Sequence, residues 1–165
     1  MRDLTLLKCH GVKPPPTDGG LPVNIIDLDS TEIRRFFNGG ASNEPQRADC
    51  LVIYQNMTAV METKNSYPDK AIPQIRKTAE LLKQRWEEFK EVAAISADTP
   101  RPTAYYFCVE SGMGASRYEV DKDNNLRERS NAGKNKGPIT YAEGNIPIKV
   151  YDKKDIEKLY EWYRG

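Results

Sequence analysis

Two strand-like runs separated by only two residues constrain the fold of this chain more than any other feature. The first, residues 49–54, reads DCLVIY, and the second, residues 57–64, reads MTAVMETK. Both are rich in apolar or β-branched residues, and the Asn of the intervening Gln55-Asn56 accepts a positive φ. The pattern therefore predicts a tight antiparallel hairpin in which Tyr54 faces Met57.

The rest of the sequence predicts helices and further strands around this hairpin. A short helix is expected after Asp29, which can cap it, and Asn38-Gly39-Gly40 is expected to end it. The longest helix should follow the hairpin, because Pro73 suits a first turn and apolar residues then recur at helical spacing. Other predicted elements are strands at 103–109, 117–120, 139–141 and 146–151 and a last helix that starts at Asp152.

This order of elements predicts an α/β fold, with a single mixed β-sheet flanked by helices. The length of 165 residues favours one domain over residues 1–165, with a core between about residues 29 and 109. Residues 11–22 and 127–138 are rich in proline, glycine or asparagine, so both segments are expected to be flexible loops.

Composition excludes several classes of protein. No apolar run is long enough to span a bilayer and the N-terminus does not resemble a signal peptide, so we expect a cytoplasmic protein with no membrane partner. The 25 basic and 24 acidic residues argue against a highly basic nucleic-acid coat, but acidic active-site residues could balance basic ones in a nuclease. Cys9, Cys50 and Cys108 are expected to be free thiols, and with His10 as the single histidine we expect no zinc site.

The hairpin register brings two acidic residues together at the open end of the hairpin. Continuing the pairing back along both strands sets Asp49 opposite Glu62, with Cβ atoms about 5 Å apart on one face. Lys64 lies two residues after Glu62 and is expected on the same face. Opposed carboxylates repel each other unless a charge compensates, and a divalent cation such as Mg²⁺ would do so. A water on that cation is a candidate nucleophile, which Lys64 would orient.

An ordinary structural explanation of these residues stays open. Asp49 would then be only a polar residue before a strand, and Glu62 and Lys64 would be a solvated pair at the end of the next strand. An E-x-K triplet alone is a weak signal. The apolar strand before it, the matching Asp on the partner strand and the amphipathic helix after it favour the metal site.

The arrangement resembles the PD-(D/E)XK nuclease superfamily, which has the restriction-endonuclease-like fold. The resemblance rests on Asp49 followed by Glu62-Thr63-Lys64, between a helix and a second helix that leads to a further strand. It covers about residues 29–109. It is nearest in pattern to the Holliday-junction-resolvase-like and NERD-type branches, which carry a Gln early in the second helix, where this chain has Gln74. Ala48 stands where the family name has Pro.

The resemblance implies a metal-dependent nuclease, most simply a DNA endonuclease, with RNA as the other candidate substrate. Some branches also carry a Glu on the first helix, and Glu32 is the candidate here, although helix capping explains it equally well. The catalytic residues implied are Asp49, Glu62, Lys64 and Gln74, and the implied ligands of Mg²⁺ or Mn²⁺ are Asp49, Glu62 and the carbonyl of Thr63.

A basic segment offers a second candidate surface. Residues 127–138 read RERSNAGKNKGP, and basic side chains on such a loop can contact phosphates. A plain solvated loop is the alternative. The candidate nucleic-acid-binding residues are Arg127, Arg129, Lys134 and Lys136. The alternative function for the whole chain is a non-catalytic nucleic-acid-binding or protein-interaction module on the same fold, and whether the chain forms a homodimer stays open.

Overall fold

The computed structural model describes residues 23–38, 47–54, 57–64, 68–109, 117–130, 133 and 136–152. Within these ranges the chain has an α/β fold of eight strands and two helices. Their bounds are β1 Val23–Asp27, α1 Thr31–Asn38, β2 Cys50–Tyr54, β3 Met57–Lys64, α2 Ala71–Val92, β4 Ala104–Val109, β5 Tyr118–Val120, β6 Leu126–Glu128, β7 Tyr141–Glu143 and β8 Ile146–Asp152.

Six of these strands form one mixed sheet in the order β1-β2-β3-β4-β8-β7. Antiparallel pairing joins β1 to β2, β2 to β3 and β7 to β8, whereas β4 runs parallel to both β3 and β8. The predicted mixed sheet is confirmed. The prediction of a single sheet is wrong, because β5 and β6 pair only with each other, as a separate two-stranded sheet.

The predicted register of the central hairpin is confirmed. Tyr54 pairs with Met57, and the pairing continues without a bulge to Cys50 and Met61. The first strand is one residue shorter than predicted, so Asp49 lies immediately before β2. The uninterrupted register matters for the site, because a slip of one residue would turn every side chain of the strand to the opposite face.

Helix α2 packs one apolar face on the sheet, and Pro73 lies in its first turn as predicted. The stacked rings of Trp86 and Phe89 are 5.5 Å apart, and Phe36 of α1 meets Phe89 edge to face at 5.6 Å. Such aromatic pairs add to the stabilisation from buried area, so they dock α1 onto the second half of α2. The buried residues of α2 are Ala71, Ile72, Ile75, Thr78, Ala79, Leu82, Trp86, Phe89 and Lys90.

The start of α1 differs from the prediction. The helix begins at Thr31, and the carbonyl of Ser30 accepts a 2.8 Å bond from the amide of Arg34, so Ser30 rather than Asp29 occupies the N-cap position. The carboxylate of Asp29 instead pairs with the guanidinium of Arg47. The Asp29 carboxylate, which was predicted to cap the helix, thus binds Arg47, 18 positions later in the chain.

Two strands are absent from the predicted elements. Strand β1 is a short edge strand that pairs with β2. The local sequence pattern does not indicate this pairing. Strand β6 lies in the segment expected to be a loop over 127–138, so that prediction is wrong for its first residues. Arg127 pairs with Glu119 and also bridges to Ile139, and these pairings override the loop-like composition. The strands predicted at 103–109, 117–120 and 146–151 are confirmed, and the one predicted at 139–141 lies slightly later, as β7.

The cysteine prediction is confirmed for Cys108, which is a buried free thiol, and is wrong for Cys50, which is in a disulfide. An odd cysteine count cannot show which thiols lie close together in space. Other predictions fall outside the described residues: the hairpin turn Gln55-Asn56, the helix end at Gly39-Gly40, the loop at 11–22, Cys9, His10, Lys134 and the last helix beyond Asp152.

Candidate active site

The candidate site lies where β2 begins and β3 ends. Continuing the recorded register by one pair beyond Cys50 and Met61 sets Asp49 opposite Glu62. The side chain of Glu62 is completely buried, with 0% of its surface exposed, whereas Asp49 is partly buried. One carboxylate is therefore withdrawn from water, and its neighbour lies at the border of the solvent.

A backbone hydrogen bond holds the Asp49 carboxylate at the end of β3. The amide of Thr63 donates to Oδ2 of Asp49 at 2.9 Å. Thr63 directly follows Glu62, so this bond brings the first carboxylate beside the residue that carries the second. Such an amide bond also favours the charged form of a carboxylate, which is the form that binds cations.

The thiol of Cys108 on β4 reflects the negative charge at this end of the sheet. Cys108 pairs with Thr63 in the parallel register between β3 and β4. Burial, followed by the negative charges of Asp49 and Glu62, raises the pKa of Cys108 to about 12.

Three hydrogen bonds fix the short segment that carries Asp49. Nε of Arg47 donates to the carbonyl of Leu28 at 3.1 Å, and the amide of Leu28 donates to the carbonyl of Asp49 at 3.1 Å. The amide of Ala48 donates to Oγ1 of Thr78 at 2.7 Å. The segment is thus held both by the connection between β1 and α1 and by helix α2.

Ala48 contacts helix α2 through its backbone. The backbone amide of Ala48 is the donor in the bond to Thr78, and proline has no amide hydrogen to donate. The alanine therefore allows a contact with α2 that a proline at this position could not make.

Gln74 lies early in α2 and points a polar atom into the interior. Its Oε1 is buried, and within the described part of the chain no donor is bonded to it. The backbone carbonyl of Gln74 accepts a 2.8 Å bond from the hydroxyl of Thr78, which in turn holds Ala48. A buried oxygen without a donor costs free energy, so this atom is suited to a ligand or an ordered water.

The other predicted site residues differ in position. Lys64 ends β3, two positions after Glu62, and pairs with Val109 of β4. Thr63 is the residue between Glu62 and Lys64 in β3. Glu32 is exposed on α1.

The predicted nucleic-acid-binding residues are not equivalent. Nε of Arg127 donates to Oδ2 of Asp121 at 2.7 Å, and its Nη1 donates to the carbonyl of Gly137 at 2.9 Å. The charge of Arg127 is therefore already paired with the carboxylate of Asp121. Arg129 and Lys136 are exposed to solvent, whereas Lys134 lies outside the described residues.

The donor set fits a hard cation. The carboxylates of Asp49 and Glu62 and the carbonyl of Thr63 offer oxygen atoms, which Mg²⁺ and Mn²⁺ prefer. In the ranges that the structure describes, no group of three or more His, Cys, Asp or Glu side chains could hold a metal ion. Two carboxylates completed by a carbonyl and waters suit Mg²⁺, which keeps several of its waters, and do not suit structural zinc.

Sequence reasoning missed the two residues that anchor Asp49. Thr78 is 30 residues from Ala48, and Arg47 is 19 residues from Leu28. Thr78 is fully buried, and its place four residues after Gln74 is the only signal in the sequence. That spacing puts the two residues on neighbouring turns of one helix face.

Comparison with protein-family models, with curated proteins and with solved structures finds no match to this chain. Of the helices that the structure describes, none has both the length and the apolar character needed to cross a bilayer.

Proposed function

We propose that this chain is a Mg²⁺- or Mn²⁺-dependent nuclease that hydrolyses phosphodiester bonds, most simply those of DNA, on a restriction-endonuclease-like core. One observation carries the proposal. The Thr63 amide binds the Asp49 carboxylate at the end of the hairpin, and the residue before Thr63 is Glu62, an acidic residue that is fully buried.

The charge of this arrangement suits a divalent cation. Two acidic residues at one end of a hairpin repel each other when both are charged. A divalent ion between Asp49 and Glu62 would reduce this repulsion, and oxygen ligands are the ones that Mg²⁺ prefers.

Each residue of the site would then have its own role in the reaction. A bound Mg²⁺ would supply a water of lowered pKa and positive charge for the phosphate. Asp49 and Glu62 would hold the ion, with the carbonyl of Thr63 as a third ligand. Lys64, two positions after Glu62, would stabilise negative charge that develops on the phosphate during attack. Oε1 of Gln74 would accept a hydrogen bond from the attacking water.

The proposal is tested by following cleavage of labelled single-stranded, duplex and branched DNA and of RNA. Each substrate is incubated with Mg²⁺, with Mn²⁺ and with EDTA, using wild type, Asp49→Asn and Glu62→Gln. Glu91→Gln is the matched control, because it removes an exposed carboxylate from α2. We expect metal-dependent cleavage by wild type and by the control only.

Two results would overturn this proposal. Cleavage that persists in EDTA would remove the metal from the mechanism. Failure of folded wild type to cut any of these substrates with metal present would favour the non-catalytic binding module instead.

A further inference from the structure

The hydroxyl of Thr78 connects helix α2 to the entry of strand β2. It accepts the amide of Ala48 at 2.7 Å and donates to the carbonyl of Gln74 at 2.8 Å. Thr78 is 0% exposed and Ala48 is 2% exposed, so water cannot readily replace the bond between these two residues. A threonine hydroxyl has one donor hydrogen, and here that hydrogen goes to Gln74 while a lone pair receives Ala48.

We infer that Thr78 is a positioning residue for Asp49. The amide of Ala48 is bonded to Thr78, and the carbonyl of Asp49 accepts the amide of Leu28 at 3.1 Å, so hydrogen bonds hold the backbone on both sides of the Asp49 Cα atom. From this held backbone, Oδ2 of Asp49 accepts the Thr63 amide. The consequence for metal binding rests on the proposed function, whereas the positioning itself rests on these hydrogen bonds alone.

The contact also ties Asp49 to Gln74. Thr78 bonds to the backbone of Gln74, four residues earlier in α2, and to the backbone next to Asp49. One side chain therefore fixes the relative position of two proposed site residues from different elements. Supporting residues of this kind typically change metal affinity by roughly 10–100-fold when they are removed.

Thr58 of β3 provides a matched control for the experiment. Like Thr78, it is 0% exposed. Its Oγ1 is buried but has no hydrogen-bond partner within the described ranges. Thr58→Val and Thr78→Val therefore make the same chemical change at equal burial, but only the second removes a bond to the segment of Asp49.

The test has one readout without metal and one with metal. The first is the NMR-detected hydrogen exchange of the Thr63 amide in metal-free protein, with the amides of β4 as an internal reference for global stability. The second is the Mn²⁺ dissociation constant, measured at a temperature where every variant is folded. Both are recorded for wild type, Thr78→Val, Thr78→Ser and Thr58→Val, and Thr78→Ala replaces Thr78→Val if the valine variant does not fold.

We expect Thr78→Val to raise exchange at Thr63 relative to the β4 amides and to weaken Mn²⁺ binding roughly 10–100-fold. Thr78→Ser, which keeps the hydroxyl, should restore both values, and Thr58→Val should match wild type. Unchanged exchange at Thr63 in folded Thr78→Val would overturn the inference, even if wild type binds Mn²⁺. Raised exchange together with no Mn²⁺ binding by wild type would support the positioning role and overturn the proposed metal site.

Discussion

The backbone amide of Thr63 donates a 2.9 Å hydrogen bond to Oδ2 of Asp49, so a side chain at the entry of β2 satisfies a backbone group near the end of β3. No substitution at Thr63 other than proline removes that donor. The bond therefore depends on an acceptor at position 49. Asp49→Asn can keep an acceptor oxygen there while removing the negative charge, which separates the structural role of Asp49 from its electrostatic one.

Manganese or magnesium should stabilise the wild-type protein, and Glu62→Gln should abolish the effect. An ion that binds only the folded state adds about 2.7 kcal/mol when its concentration is about 100-fold above Kd. Glutamine is neutral and close in size to glutamate, so the variant removes the charge that would hold the ion and keeps the volume of the side chain. Thermal melts with Mn²⁺ and with EDTA measure the metal-induced shift. An equal metal-induced shift in wild type and Glu62→Gln would place the ion elsewhere.

Lys64→Ala should slow phosphodiester cleavage by roughly 10²–10³-fold, because one preorganised positive group is lost from the transition state. The melting temperature should stay close to that of wild type, since Lys64 ends its strand. Single-turnover cleavage with saturating Mg²⁺ gives the rate. Lys70→Ala, an exposed lysine in the turn before α2, is the control and should retain full activity. Equal rates in the two variants would remove Lys64 from the proposed mechanism.

Asp121 should contribute to the acid sensitivity of the protein. Burial alone would raise its pKa, but hydrogen bonds from the Arg127 side chain and from the amides of Asn125 and Asp123 lower that pKa below the ordinary value. Because the pKa is lower in the folded state, the stabilisation is present above about pH 4 and is lost as the pH falls through the folded value.

Asp121→Asn should therefore be less stable than wild type at pH 7, by about 1.5–3 kcal/mol from weakened charged hydrogen bonds. The difference should shrink as the pH falls from about 4 through the lower pKa of the folded carboxylate. Urea unfolding at a series of pH values measures it. Asp123→Asn, which changes an exposed carboxylate, should follow wild type throughout. A stability difference independent of pH would contradict this assignment.

Cys108 should resist alkylation in the folded protein. Its pKa is raised to about 12 by burial and by the charges of Asp49 and Glu62, so the thiol stays protonated at pH 8, and the thiolate is the reactive form. Treatment with iodoacetamide, followed by mass mapping of the Cys108 peptide, should show slow labelling in buffer and fast labelling in urea. Equal labelling rates in both conditions would contradict the burial of the Cys108 thiol in the folded protein.

The hairpin was predictable because its information is local. Two apolar runs and a two-residue turn determine the pairing of Tyr54 with Met57, and the partnership of Asp49 and Glu62 follows from that register. The same holds for α2, where Pro73 and the spacing of apolar residues define a long amphipathic helix.

The features that could not be predicted from the sequence depend on contacts between residues far apart in the chain. Strand β6 forms because Arg127 pairs with Glu119 and bridges to Ile139, and no feature of a glycine- and asparagine-rich segment indicates those partners. Likewise, the role of Thr78 appears only when α2 is laid against the sheet, since the hydroxyl and its Ala48 donor are 30 residues apart. Side-chain hydrogen bonds at such separations leave no periodic trace in a sequence.

The residues of the candidate site all come from one continuous stretch of the chain, from Arg47 to Thr78. Asp49 and Thr63 are only 14 residues apart in the chain, whereas β4 pairs with β8 across the longer connection from Val109 to Ile146. Since local contacts need less loop closure, the β2-β3-α2 unit should act as the folding nucleus, with mutations there slowing refolding and mutations in β7 or β8 mainly speeding unfolding. We therefore expect the candidate site to form before β8 completes the sheet.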